Sequence, residues 1–227
     1  MMKTLKLGIG GLAVLVLGAC ASTPAPEVTY DGLELMPDAA FGDRVYLLPG
    51  ADLGSYDAVG LADCNVAFRK NWLRDQNRGS LNLGSRVAQE DVDRIRDTLK
   101  EECDSMFREA LLKEPAYKLT EEFETGEQVL VLRPSIVNLD VTAPDLRSSG
   151  RSRTYTTSAG EMTLVLEAVD GTTGQVLARA VDRQGARESF RAEWSTSVSN
   201  RAEARRILTR WAERLRAAVD AVVRPAD

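Results

Sequence analysis

The chain contains no histidine. That absence excludes a Ser-His-Asp or Cys-His nucleophile, a histidine general base and every histidine-containing metal site. With only 3 cysteines in 227 residues, a disulfide-dense scaffold is also excluded, and two cysteines without histidine leave a zinc site half filled. No metal, cofactor or catalytic residue is therefore expected, although carboxylate or lysine chemistry stays open. Positive charge is short as well. The formal net charge is -5, and loss of Lys3 and Lys6 with a leader would make it more negative, so bulk attraction to nucleic acid is not expected.

A long apolar run is missing too. The stretch from Leu7 to Ala19 follows Lys3 and Lys6 and falls short of the roughly 20 residues that a spanning helix needs. A positive end, a short apolar segment and the small residues Gly18 and Ala19 predict a signal peptide over 1–19; an uncleaved amino-terminal anchor is the alternative. Leu17-Gly18-Ala19-Cys20 resembles the lipobox of bacterial lipoproteins. The resemblance implies that Cys20 receives a diacylglycerol, becomes the mature amino terminus and holds the chain on a lipid bilayer. Each buried methylene contributes about 0.8 kcal/mol, so two or three acyl chains anchor stably where one does not. Ala21 stands where an inner-membrane retention signal would place aspartate, which implies the outer membrane, facing the periplasm.

From Ala21 to about Phe41 the chain is rich in proline and acidic residues without a sustained period, and residues 20–41 are expected to be a lipidated tether. Beyond it, residues 42–224 are expected to form one periplasmic domain. Arg44 to Leu48 and Ala58 to Val66 read as strands around the turn Pro49-Gly50-Ala51-Asp52. Ile95, Leu99, Cys103, Met106, Ala110 and Leu111 recur in steps of three and four, which predicts a helix ended by Pro115. Gln128 to Val141 predicts a strand, and Met162 to Asp182 a hairpin around Asp170 to Gly174. Asn200 with Glu203 reads as a capping box opening a second helix, its stripe being Ile207, Leu208, Trp211, Leu215, Val219 and Val222. Two amphipathic helices and a mostly antiparallel sheet predict an α+β fold, a two-layer sandwich.

Particular words then resemble the bacterial lipoprotein family filed as domain of unknown function 3313. They are Pro49-Gly50-Ala51-Asp52-Leu53 leading to Tyr56-Asp57, Trp72 with Asp75-Gln76-Asn77-Arg78, and the hairpin Asp170 to Leu177. The resemblance spans about Phe41 to Val223 and implies a lipobox, a periplasmic α+β domain and no assigned activity.

Several residues invite a function. Cys64 and Cys103 pair in a disulfide joining helix to sheet, or remain buried thiols that behave as small hydrophobes. Trp72, Arg74 and Arg78 form an interaction surface if exposed; otherwise Trp72 closes the core and the bases are a solvated rim. Arg147, Arg151 and Arg153 lie in a polar stretch from Thr142 to Gly160, either a contact loop or a plain solvated one. Phe190 and Trp194 are expected to pack under the sheet. Glu121, Glu122, Glu124 and Glu127 cluster on one segment and do not flank a cleft as a glycosidase pair must. The reading that results is a non-catalytic envelope lipoprotein that binds an envelope protein or assembles with itself. The alternative is a carrier or sensor that takes an apolar or glycan ligand between helices and sheet.

Overall fold

The structure, a computed structural model, describes residues 26–37, 39, 41–78, 86–120, 128–141, 155–156, 160–185, 193–194 and 197–223. The expectations placed on Cys20, on Glu121 to Glu127, on Arg147, Arg151 and Arg153 and on Phe190 lie outside them, as does the side chain of Trp194.

The centre of the sheet is β6 (Val129–Val141), which opens with four consecutive buried residues, Val129 to Leu132. A strand covered on both faces takes such an unbroken apolar run. On one side β6 pairs antiparallel with β8 (Gly160–Asp170), β8 with β9 (Val176–Gly185), β9 with β2 (Arg44–Leu47), and β2 with β1 (Glu34–Met36). On the other side β3 (Ala58–Leu61) and β4 (Asn65–Phe68) both run parallel to β6, and β5 (Leu119–Thr120) lies parallel to β3. A separate antiparallel pair joins β7 (Tyr155–Thr156) to β10 (Glu193–Trp194).

The fold is thus α+β with a mixed sheet of 8 strands. A mostly antiparallel sheet describes one half of it only. Parallel neighbours require a long crossover, and α1 (Trp72–Gln76) with α2 (Gln89–Leu112) supplies it between β4 and β6. The stretch from Ala58 to Val66, expected as one strand, is two, because the chain leaves the ladder at residues 62–64. Within the stretch of β6 that pairs with β4 there is a bulge, with Asn138 at φ 52 and a register shift against β8 between Val137 and Asp140. The extra residue lets Leu139 face the core as Ile136 does. Across that bulge sits Gly160, where a Cβ would lie 2.1 Å from the Asp140 carbonyl oxygen.

Both long helices bury most of the expected stripes. Val222 is exposed where its neighbour Val223 is buried, and Phe107, absent from the expected stripe, is wholly buried while Ile95, Met106 and Ala110 are half-buried. α2 contributes Leu99, Cys103, Phe107 and Leu111, and α3 (Ser197–Val222) contributes Ile207, Leu208, Trp211, Ala212, Leu215 and Val219. These meet Val59, Val66, Leu130, Leu132, Ile136, Leu164 and Leu166 in one cluster. α3 begins three residues before the expected cap, so Asn200 lies in its first turn, and Glu203 pairs with Arg206. At the far end Arg216 of α3 donates to the Lys113 and Pro115 carbonyls at 2.5 and 2.6 Å. A cation there satisfies carbonyls that the end of α2 leaves without partners.

Residues 27–36, expected as part of a tether, belong to the folded body. Val28 bridges Glu34, β1 joins the sheet edge, and Leu33 is wholly buried. The local cause is Tyr30-Asp31-Gly32, a three-residue loop whose Gly32 amide donates to the Thr29 carbonyl at 3.0 Å and which Gly32 completes at φ +83. Thr29 completes the turn by accepting from the Leu33 amide through Oγ1 at 2.9 Å.

Candidate functional surface

Cys64, just before β4, and Cys103, on the buried stripe of α2, are joined in a disulfide with Cα atoms 6.2 Å apart. Neither is accessible. The Cys64 amide also donates to Asp104 at 2.6 Å, so strand and helix are tied twice at this point.

Trp72 is 1% exposed, which removes it from any contact surface. Its Nε1 donates to the Val141 carbonyl at 2.9 Å, and its ring lies 4.4 Å from that of Phe68. A buried indole needs such a partner for its N–H. The bases around it split in role. Arg69 is clamped between Asp140 (2.6 Å) and Asp75 (2.8 Å), and its hydrogen bond holds the Asp75 carboxyl below the usual range. Arg74 and Arg78 are exposed, Arg74 with a contact to Asp75 at 3.1 Å. The expected surface of Trp72, Arg74 and Arg78 is therefore two rim cations beside a core tryptophan.

Other polar side chains are committed to structural bonds. Tyr56 donates to Asp170 at 2.7 Å while Asp170 accepts from the Thr172 and Thr173 amides, so the turn after β2 is fastened to the hairpin between β8 and β9. Burial first, and then this bond, push the Tyr56 hydroxyl up to about 12. Tyr117 is raised to about 12 in the same order of causes, by burial and by Asp220. Asp182 is the one charged side chain fully buried among the described residues. It accepts from Trp211 Nε1 (2.6 Å), Gln184 (2.8 Å) and Arg214 (3.1 Å), partners that a buried carboxylate requires. A Cβ on Gly42, at φ +70, would come within 2.7 Å of the Asp182 Cβ.

The sheet face turned away from α2 and α3 differs. Because side chains alternate, its rows read directly from the register. Arg133, Glu167, Arg179 and Tyr46 form one row across β6, β8, β9 and β2; Ser135, Val165, Val181 and Arg44 form the next. The following row holds Val137, Thr163 and Arg183. The hairpin of residues 27–36 closes the first row. Asp31 grips Arg179 with both oxygens at 3.1 and 2.6 Å, Glu167 takes the same guanidinium at 2.8 Å, and Tyr46 is buried. Arg179 holds the Asp31 carboxyl down at about 2. Beyond the hairpin, Val137, Val165 and Val181 stay half-buried. Val181 is directly opposite Val165, and Val137 is diagonal to it, so the three make a small apolar centre. Arg44, Arg133, Arg183, Glu161 and Glu167 surround it.

This face went unnoticed in the sequence. Its legible signals were the Asp31-Gly32 turn, with Leu33 and Leu35 alternating after it, and the charged residues Arg133, Glu167 and Arg179 placed inside strands.

A family described as "Protein of unknown function (DUF3313)" matches residues 25–215. The chain belongs to that family. The DUF3313 match starts ahead of the hairpin at residue 27, so the hairpin lies inside the family's domain. No curated protein matches the chain. Among solved structures, the chain is similar to the PelC dodecamer from Paraburkholderia phytofirmans, at 12% identity over 75% of this chain and 96% of that one, with a TM-score of 0.33. It is also similar to protein XCC0632 from Xanthomonas campestris, at 13% identity over 75% of this chain and 87% of that one, with a TM-score of 0.35. Overlaps this loose transfer no function.

Proposed function

We propose that the protein is a lipid-anchored, non-catalytic envelope protein that binds a protein partner, or a second copy of itself, through the sheet face turned away from its two long helices. The half-buried group Val137, Val165 and Val181 inside a ring of charged residues carries this reading, since an apolar centre with a polar rim is the common anatomy of a contact surface. The commitment of Asp182, Arg179, Tyr56 and Tyr117 to structural bonds supports a non-catalytic role. Cys20 after Leu17-Gly18-Ala19 supports an anchor outside the cytoplasm, and Ala21 in place of aspartate supports the outer membrane.

A photo-reactive amino acid at Val165, irradiated in intact cells, tests the contact. Reproducible crosslinks to one envelope protein or to a second copy are expected, and none from an exposed helix position such as Glu101. Equal crosslinking at both positions, or none at Val165, contradicts it. Fractionation tests the anchor, because a Cys20→Ser chain found wholly in carbonate-washed membranes would rule it out.

A further inference from the structure

We infer that the amino-terminal hairpin is a membrane-contact platform that fixes how the folded body rests on the bilayer. This inference rests on acylation at Cys20, proposed above. The folded body starts by residue 27, and the seven residues from Cys20 to Pro26 span at most about 25 Å. A tether of that length holds the hairpin within its reach of the lipid.

Its side chains suit that position. Among the described residues, three of the five large apolar side chains that are exposed, Val28, Tyr30 and Met36, lie on this one hairpin. Val28 stands opposite Glu34, and Met36 is two residues on from Glu34, so Val28 and Met36 project from one face with the Glu34 carboxylate between them. Tyr30 sits at the turn at 95% exposure on the Arg179 side of the hairpin, its ring centroid 5.8 Å from that guanidinium, an amphipathic ring of the kind enriched at membrane interfaces. The hairpin is also stiff enough to transmit orientation, because Leu33 is buried and Asp31 is held by Arg179. Glu27 and Glu34 are exposed on it, which favours zwitterionic over anionic headgroups.

The test uses the acylated mature chain on vesicles of phosphatidylcholine and phosphatidylethanolamine, with its lipid verified by mass, and hydroxyl-radical footprinting read by mass spectrometry. The reference is the mature-length Cys20→Ser chain free in solution. Oxidation of Tyr30 and Met36 is expected to fall several-fold on vesicles, while Leu112 and Val222, exposed at the ends of the two long helices, react as they do in solution. Unchanged oxidation of Tyr30 and Met36 on a chain that carries its lipid overturns this inference and leaves the anchor standing. Protection that appears in solution and grows with protein concentration assigns the hairpin to a second copy and overturns it equally. A mature chain without lipid removes the anchor itself, and the inference with it.

Discussion

The two faces of this one sheet are held by different forces. On one, Leu130, Leu132, Ile136, Leu164 and Leu166 meet the stripes of α2 and α3 in a continuous apolar core. On the other, the rows are laced by ions, with Arg179 shared by Asp31 and Glu167, and a valine group stays half-buried. Non-directional burial makes the first face tolerant of detail and dominant in stability. The second depends on a few geometric contacts and offers both apolar area and charge, which is why the proposed contact is placed there.

The sharpest break in this comparison is Trp211→Ala. It removes a fully buried indole and a donor to Asp182, and unfolding in denaturant should show a loss of about 4 kcal/mol. Replacing Cys64 and Cys103 together by alanine opens a link between residues 39 apart and should cost about 4 kcal/mol by loop entropy. The same variant under reducing conditions should show no further loss, whereas the native chain should. On the ionic face, Arg179→Ala leaves two carboxylates without their cation and should cost about 2 kcal/mol. Hydrogen exchange should then quicken at residues 28–35 and stay slow in β6.

The acid response isolates the hairpin further. Asp31 is held at about 2 in the folded protein, against an ordinary 3.8. A depressed carboxyl stabilises above its unfolded value, so this contribution is whole above about pH 4 and vanishes as pH falls through 2. Exchange at residues 28–35 should rise across that window, and Asp31→Asn should abolish the dependence. The smallest effect belongs to Arg74→Ala, where an exposed pair with Asp75 should move stability by no more than about 0.5 kcal/mol.

What the sequence made legible follows the same division. Helix stripes and the long strand at β6 were readable because burial on one side imposes a period, and Cys103 fell on the α2 stripe for that reason. Parallel pairing of β3 and β4 was not readable, since the direction of a strand is set by its crossover and leaves no mark in a four-residue run. Trp72 misled because aromatic and basic residues alternate around it in sequence, yet its indole N–H turns inward to Val141. The hairpin at 27–36 was hidden by proline and acid content that reads as linker, although Asp31-Gly32 is a turn word. Its anchor, Arg179, is 148 residues away, and no local pattern reports a partner at that distance.

The most direct test of the anchored state is mass spectrometry of the amino-terminal peptide from protein purified out of the membranes of its native host. A peptide that begins at Cys20 and carries a diacylglycerol on its sulfur is the expected result. A peptide that retains residues before Cys20, or one that begins there with a free thiol, would contradict it.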